Sequence, residues 1–172
     1  MTDSRTVFVA GGTGYLGRHL IPSLLGRGFA VTALVRPGSE KKVPGGCSVV
    51  SGNALDGDTY VQHSAAGQTF IQLTGVAHPS PAKAKQFVEI DLRSALEAIR
   101  VARDQGAGHF IYVSVAHPAP AMKAYIEVRS SCEAAIRAIT GLTHSCRYTG
   151  SPSASRARRR AREGWGWSRS GR

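Results

Sequence analysis

Three glycines at three-residue intervals, Gly11, Gly14 and Gly17, have the spacing that most clearly suggests chemistry in this sequence. They lie between a short apolar segment and an amphipathic one, which indicates a strand-to-helix turn. In such a turn the first glycine permits the sharp bend, the second lets the backbone approach a pyrophosphate, and the third lets the helix pack closely. The helix N-terminus adds N–H groups and a partial positive charge. The pattern predicts a dinucleotide-binding loop; a tight turn that binds nothing is the alternative, because glycines alone are weak evidence.

The end of the second predicted strand bears on which dinucleotide would bind. A site selective for NAD carries Asp or Glu about 20 residues after the glycine loop, where the acid binds the ribose hydroxyls. Here the strand ends at Arg36, with Lys41 and Lys42 close behind and no acid before Glu40. A guanidinium binds a 2′-phosphate by bidentate hydrogen bonds, each worth about 1.5–3 kcal/mol. Arg36 therefore favours NADP(H) over NAD(H), unless it is simply a solvated residue at a strand end.

Short β-branched segments alternate with amphipathic ones along most of the chain. The longest amphipathic segment places Phe87, Leu92 and Ile99 on one helical face. The pattern predicts strands at residues 6–10, 29–35, 47–51, 69–74 and 109–115, and helices at residues 15–26, 57–66, 82–105 and 121–139. Strands alternating with helices at this spacing indicate an α/β protein, with a doubly wound parallel sheet covered by helices on both faces.

The glycine loop, the strand end at Arg36 and the run Gly52-Asn53-Ala54-Leu55-Asp56 together resemble the short-chain dehydrogenase/reductase superfamily. The resemblance is to its extended or atypical branch, the NAD-dependent epimerase/dehydratase-like and NmrA-like proteins, and covers about residues 5–142. It implies a Rossmann-like fold, with Asn53 and Ala54 beside the adenine and residues 74–76 along the cofactor. The predicted cofactor-binding residues are Gly11, Thr13, Gly14, Tyr15, Leu16, Gly17, Arg36, Asn53, Ala54, Thr74, Gly75 and Val76.

The same resemblance implies a catalytic group, a Ser on the fifth strand and a Tyr-x-x-x-Lys on the next helix. The phenol, with a reference pKa of about 10, transfers the substrate proton. A cation at i+4 stabilises its phenolate, and the serine polarises the carbonyl that exchanges hydride with the nicotinamide. The matching residues are Ser114, Tyr125 and Arg129, and Arg is not interchangeable with Lys at a tuned site. Two alternatives follow: an oxidoreductase or epimerase-like enzyme acting on a small carbonyl or sugar-nucleotide-like substrate, and a non-catalytic dinucleotide sensor.

Composition excludes several classes of protein. No apolar run approaches the ~20 residues of a membrane-spanning helix, so no membrane partner is expected. No signal peptide is expected before the first predicted strand. The cysteines Cys47, Cys132 and Cys146 are too scattered for a disulfide framework or a zinc site. These features predict a reduced, cytoplasmic protein without a metal.

The charge is concentrated at the end of the chain. Of 22 Lys and Arg residues, 8 lie after residue 142, all of them Arg, beside the single acid Glu163. The family continues here with a sixth strand and a substrate domain, whereas this segment shows no strand alternation and predicts disorder. An Arg cluster with two tryptophans could bind nucleic acid, but all-Arg basicity where a core strand is expected favours a shifted reading frame. We predict a dinucleotide-binding domain at residues 1–142, lacking its substrate domain, and an Arg-rich disordered or out-of-frame tail at residues 143–172.

Overall fold

Six strands in one parallel sheet organise the part of the chain that the structure describes. The structure, a computed structural model, describes residues 5–115, 122–139 and 143–149. The strands are β1 (Thr6–Ala10), β2 (Ala30–Val35), β3 (Ser48–Ser51), β4 (Thr69–Gln72), β5 (His109–Val115) and β6 (Thr143–Thr149). Their order is β3-β2-β1-β4-β5-β6, with every pair parallel. This is the strand order of dinucleotide-binding doubly wound sheets, and it confirms the predicted Rossmann-like α/β fold.

Helices connect the strands and cover the sheet. They are α1 (Tyr15–Leu25), α2 (Ala84–Gln86), α3 (Arg93–Asp104) and α4 (Lys123–Arg137). A π-helical turn, Phe87–Leu92, joins α2 to α3 and is called the π segment below. The helix predicted over residues 82–105 is therefore a helical stretch with one irregular turn in its first half. Single 3-10 turns lie at Glu40–Lys42, Gly57–Thr59, Val61–His63 and Pro81–Lys83.

The helix predicted over residues 57–66 is wrong, because only two separate 3-10 turns form there. Side chains at the start of this segment bond to the nearby backbone instead. Asp56 Oδ1 accepts from the Asp58 N–H at 3.3 Å, and Thr59 Oγ1 donates to the Asp56 carbonyl at 2.7 Å. Such local bonds give the backbone an alternative to continuous helical hydrogen bonding.

Both faces of the sheet are buried, since successive strand side chains point to opposite sides. Phe8 of β1 packs with Phe70 and Phe110 in the cluster that also contains residues of α3 and α4. Val9, the next residue along β1, lies in the other cluster with Ile21 of α1. All five side chains are fully buried. The two clusters fix the sheet, so that the carboxyl ends of its parallel strands present their loops at one edge.

Strand β6 corrects the expectation that no strand follows residue 142. Residues 143–149 pair with β5 in parallel register, from His109 opposite Thr143 to Val115 opposite Thr149. The segment lacks an apolar alternation that would predict a strand. It forms one by pairing with β5, since strand formation depends strongly on context. The remaining residues of the predicted tail, 150–172, lie outside the described residues.

Candidate dinucleotide-binding site

The glycine loop between β1 and α1 is a close-packed turn. Gly11 has a φ of +89°, and a Cβ there would lie 2.8 Å from the backbone of Leu73 and Thr74. A Cβ on Gly17 would lie 2.6 Å from the backbone of Gly12. Gly11 therefore permits the turn, and Gly17 permits the close packing of α1 against the loop.

Helix α1 begins with features that suit an anion. Gly14 is its N-cap, so there is no side-chain cap, and the first turn contains no acid. The first N–H groups of a helix have no intrahelical partner, and the helix dipole makes this end positive. Arg18, one turn further on, donates from Nε to the Thr13 carbonyl at 2.8 Å. Its charge therefore lies beside the loop and adds to the positive end of α1.

A cavity of about 600 Å³ opens at the carboxyl edge of the sheet. Its walls come from the loops after β1, β2, β3 and β4 and from the π segment and its approach. Ligands of open α/β sheets bind at this edge, where the strand order reverses. The predicted cofactor-binding residues that line it are Gly11, Thr13, Gly14, Arg36, Asn53, Ala54, Thr74, Gly75 and Val76.

Three predicted cofactor-binding residues are outside that lining. Tyr15 and Leu16 are exposed in the first turn of α1, and Gly17 is buried against the glycine loop. One polar atom in the cavity wall, Thr74 Oγ1, is buried and has no hydrogen-bond partner among the described residues. A glycine cradle and an unpartnered hydroxyl in the same wall fit a bound nucleotide, which supplies both phosphates and sugar hydroxyls.

The β2 end of the cavity is cationic. Arg36 and Lys42 line it, and neither side chain makes a hydrogen bond or ion pair within the described part of the chain. The nearest acid in sequence, Glu40, instead accepts from the Gly38 N–H at 3.1 Å and from Ser51 Oγ at 3.2 Å. The N–H groups of Glu40 itself and of Gly38 lower the pKa of this carboxyl. These contacts occupy the carboxylate and leave the two cations to face the cavity.

The loop after β3, residues 52–58 (the β3 loop), is held to α3 by polar groups that are exposed or half-buried. Arg93 Nε donates to the Leu55 carbonyl at 3.0 Å, and Glu97 Oε2 accepts from a loop N–H at 2.9 Å. Arg100 Nη2 pairs with Asp58 at 2.8 Å and with Glu97 at 2.9 Å. Partial burial acts to raise the pKa of Glu97, but the bonds from Arg100 and the loop N–H outweigh it and lower that pKa.

The loop after β4, residues 73–77 (the β4 loop), is held by a buried ion pair. Asp91 of the π segment accepts from the Val76 N–H through Oδ2 at 2.9 Å and pairs through Oδ1 with Arg129 Nη2 at 2.5 Å. The side chains of Arg129 and Asp91 are 9% and 0% exposed. A Cβ on Gly75 would lie 3.0 Å from both Arg129 Nη2 and Asp91 Oδ1. Burial raises the pKa of Asp91, while Arg129 and the Val76 N–H act against that rise.

Arg129, the predicted catalytic cation, is engaged by several other groups. Its Nη1 donates to Tyr112 Oη at 2.9 Å and to the Val113 carbonyl at 2.8 Å. Its guanidinium carbon lies 4.9 Å from the centre of the Tyr125 ring, which also contacts the Phe87 ring at 5.0 Å. Arg129 thus contacts the face of the predicted catalytic tyrosine, and its two terminal nitrogens donate to Asp91 and to β5. Its Nε is buried and has no hydrogen-bond partner among the described residues.

The predicted catalytic serine donates its proton within the protein. Ser114 Oγ donates to Glu133 Oε1 at 2.5 Å, and Glu133 Oε2 accepts from Arg137 at 2.5 Å. Ser114 and Glu133 are both buried. The structure brings Tyr125 and Arg129 into contact. None of the three predicted catalytic residues, Ser114, Tyr125 and Arg129, lines the cavity. The residues between β5 and α4, 116–121, lie outside the described chain.

Several site residues escaped the sequence analysis. Arg18 lines the cavity four positions after Gly14, and this helical spacing was a usable signal. Asp91 is a lone acid on the apolar side of the best predicted helix, a position that calls for a buried partner. Lys83 also lines the cavity, with Nζ donating to the carbonyls of Ala77 and His78 at 2.6 and 3.0 Å. No sequence signal pointed to Lys83.

Among the residues that the structure describes, no group of three or more His, Cys, Asp or Glu side chains is placed to hold a metal ion. None of the helices in that part of the chain has the length and apolarity to cross a bilayer. Cys47 and Cys132 are free thiols.

Comparison with known proteins also indicates a dinucleotide-binding domain. A family model described as NAD(P)H-binding matches residues 11–144. The chloroplastic divinyl chlorophyllide a 8-vinyl-reductase of Oryza sativa subsp. indica is 31% identical over 119 residues, covering 63% of this chain and 29% of that protein. The UDP-glucose 4-epimerase of Thermus thermophilus, in complex with NAD, has a TM-score of 0.67 at 18% identity, covering 82% of this chain and 53% of that one. A short-chain dehydrogenase/reductase from Vibrio parahaemolyticus has a TM-score of 0.69 at 16% identity, covering 84% of each chain.

A parallel sheet of this order, with a glycine loop and a cavity at its switch point, defines a dinucleotide-binding α/β domain. The chain belongs to the NAD(P)H-binding family. Its fold is that of the epimerase and short-chain dehydrogenase/reductase structures, as the predicted resemblance to that superfamily implies. The chain spans about half the length of the epimerase and less than a third of the curated reductase.

Proposed function

We propose that the chain binds NADP(H) in preference to NAD(H), as the cofactor-binding part of an oxidoreductase or epimerase-like enzyme. The observation that carries the preference is the pair of cations at the β2 end of the cavity. Arg36 and Lys42 have no partner within the described residues, and Glu40 is bonded to Gly38 and Ser51. A guanidinium that is free to form a bidentate bond is suited to a 2′-phosphate.

The sheet order supports placing the two halves of such a cofactor on the two sides of β1. The pyrophosphate would lie at the glycine loop and the α1 N-terminus, with Arg18 beside it. Arg36 and the β3 loop lie on the β2 side of β1, so the adenosine would lie there. The nicotinamide half would then lie over the β4 loop, on the opposite side of β1. When bound, that ring supplies hydride transfer.

Titration of the full chain with NADPH and NADH tests the proposal. Arg36→Ala removes a charged hydrogen-bonding partner worth about 1.5–3 kcal/mol, which corresponds to a loss of about 10- to 150-fold in NADPH affinity. The NADH affinity should not change. The matched control is Arg27→Ala, which removes an exposed charge just after the far end of α1. Equal losses for NADPH and NADH, or a wild-type chain that binds neither, would contradict the proposal.

We also propose a substrate class for the whole protein. The epimerase and reductase names among the relatives support a small carbonyl or a sugar nucleotide as substrate, with Ser114 and Tyr125 handling the proton. Turnover of NADPH against a panel of both substrate classes tests this. Because the chain spans about half of the epimerase, the assay should use the chain joined to any downstream segment in the same gene.

A second candidate, a non-catalytic dinucleotide sensor, is favoured by the contacts of the predicted catalytic residues. Ser114 donates to Glu133, and the two terminal nitrogens of Arg129 donate to Asp91, Tyr112 and Val113. Tight NADPH binding with no turnover across the panel would support the sensor. Turnover that is lost in Tyr125→Phe would rule it out.

A further inference from the structure

We infer that Asp91 and Arg129 are positioning residues that fix the β4 loop beneath the nicotinamide half of the cofactor. This inference rests on the proposed dinucleotide site. It gives Asp91 a function in that site, and it gives Arg129 a positioning function in place of the expected stabilisation of the Tyr125 phenolate.

The Asp91 carboxylate connects the β4 loop to the rest of the domain. Asp91 Oδ2 accepts from the Val76 N–H, and Oδ1 pairs with Arg129. The pair also lies against the loop backbone, because a Cβ on Gly75 would come within 3.0 Å of both side chains. Residues 75 and 76, which line the cavity, are therefore held from behind by a pair with almost no exposure to solvent.

Arg129 connects Asp91 to the sheet. Its Nη2 donates to Asp91, while Nη1 donates to the Val113 carbonyl and to Tyr112 Oη on β5. A guanidinium can serve these acceptors together because its donors form a rigid planar fork, whereas a lysine ammonium is a compact point charge on a flexible stem. The arrangement explains why Arg stands at this position. It also balances the Arg129 charge with that of Asp91.

The face contact with Tyr125 is consistent with positioning as well. The guanidinium lies over the ring at 4.9 Å, and the Phe87 ring packs against the same tyrosine. A cation over an aromatic face stabilises the placement of the ring. Arg129 thus orients Tyr125 while holding the β4 loop through Asp91.

The test compares the binding of the whole cofactor with the binding of its adenosine half. Full-length wild type, Asp91→Asn and Arg129→Lys are titrated with NADPH and with adenosine 2′,5′-bisphosphate, which carries only the adenosine half. Asn keeps the shape of Asp but carries an NH2 donor in place of one oxygen, so it cannot accept at both of the positions that face Val76 and Arg129. We expect both variants to lose on the order of tenfold or more in NADPH affinity. Their affinity for the bisphosphate should stay within about twofold of wild type, which also shows that they fold.

The matched control is Glu89→Gln, two residues from Asp91 on the π segment. Glu89 forms an exposed pair with Lys85 at 3.5 Å, and its loss should leave both affinities unchanged. Amide hydrogen exchange adds a second readout. The Val76 N–H should exchange faster in Asp91→Asn, while amides of the β3 loop should not.

Each outcome decides the question. An Arg129→Lys variant that keeps full NADPH affinity would overturn the inference, because a lysine ammonium lacks the planar fork that serves Asp91 and β5 together. Parallel loss of NADPH and bisphosphate binding in both variants would overturn it too, since the effect would not be confined to the nicotinamide side. If the wild type binds both ligands and neither variant loses NADPH affinity, the proposed function stands and this inference alone is wrong. A wild-type chain that binds neither ligand defeats both.

Discussion

The β3 and β4 loops line the same cavity and are held by the same helical stretch, but by different physical means. The β3 loop is fastened by α3 through side chains that water reaches; Arg100 is 36% exposed and its partner Asp58 is 81% exposed. The β4 loop is fastened by the π segment through Asp91, which is fully buried and paired with Arg129. The first connection is a network of charges on the surface, and the second is one ion pair in the interior.

This difference sets how much each loop depends on a single residue. Exposed ion pairs contribute about 0–1 kcal/mol, because water and salt screen them. Removing one partner of a buried pair costs about 3–5 kcal/mol, because the other charge is left without water or partner. The β3 loop should therefore tolerate the loss of one contact, whereas the β4 loop should not.

The largest effect should come from Arg129→Met. The change leaves the Asp91 carboxylate buried and unpaired, so the free energy of unfolding should fall by about 3–5 kcal/mol. Urea unfolding at neutral pH measures it. Asp91→Leu combined with Arg129→Met should recover much of the loss, since apolar residues replace buried ion pairs at little cost. A loss below 1 kcal/mol in the single variant would show that the buried pair is no more important than the surface network.

A smaller effect is expected for Arg100→Met on the β3 loop. It removes the ion pairs to Asp58 and Glu97, yet the free energy of unfolding should fall by only about 0–1 kcal/mol. The same urea experiment measures it, and added salt should shrink the effect further. A loss as large as that of Arg129→Met would remove the contrast between the two loops.

The smallest effect is a pH dependence at Glu97. Its pKa is lowered in the folded state, so the charged form stabilises the fold above the unfolded-state pKa of about 4.3. That contribution is lost as the pH falls through the lower, folded-state pKa. Glu97→Gln should therefore be slightly less stable than wild type at pH 6, and the difference should disappear near pH 3. A difference that grows on acidification would contradict this sign.

The features that were predicted correctly from the sequence depend on residues that are close together in the chain. The turn at Gly11 and the close approach at Gly17 depend on residues a few positions away, and glycine spacing records them directly. Arg36 could be placed at the cavity because it ends a strand whose direction follows from the fold class. The parallel sheet followed from the alternation of apolar segments alone. These predictions needed no knowledge of distant contacts.

What the sequence did not predict depends on partners far along the chain. Asp91 and Arg129 are 38 positions apart, and nothing in either neighbourhood indicates the other. The family resemblance predicts a catalytic function for Arg129, and its contacts with Asp91 and β5 form only when the helices pack. Strand β6 was missed for a related reason, because its residues form a strand through pairing with β5.

The π segment also sets how the two ends of the helical stretch are oriented. A π turn holds one more residue than an α turn, so the side chains on its two sides are out of phase with a regular helix by about 100°. Deleting one residue between Phe87 and Asp91 would restore a regular helix and rotate Phe87 and α2 relative to Asp91 and α3. Asp91 and the α3 residues that hold the β3 loop would keep their phase with one another, while the packing of Phe87 on Tyr125 and the place of Gln86 in the cavity wall would change. The extra residue therefore sets the angle between the part of the helical stretch that holds the two loops and the part that lines the cavity.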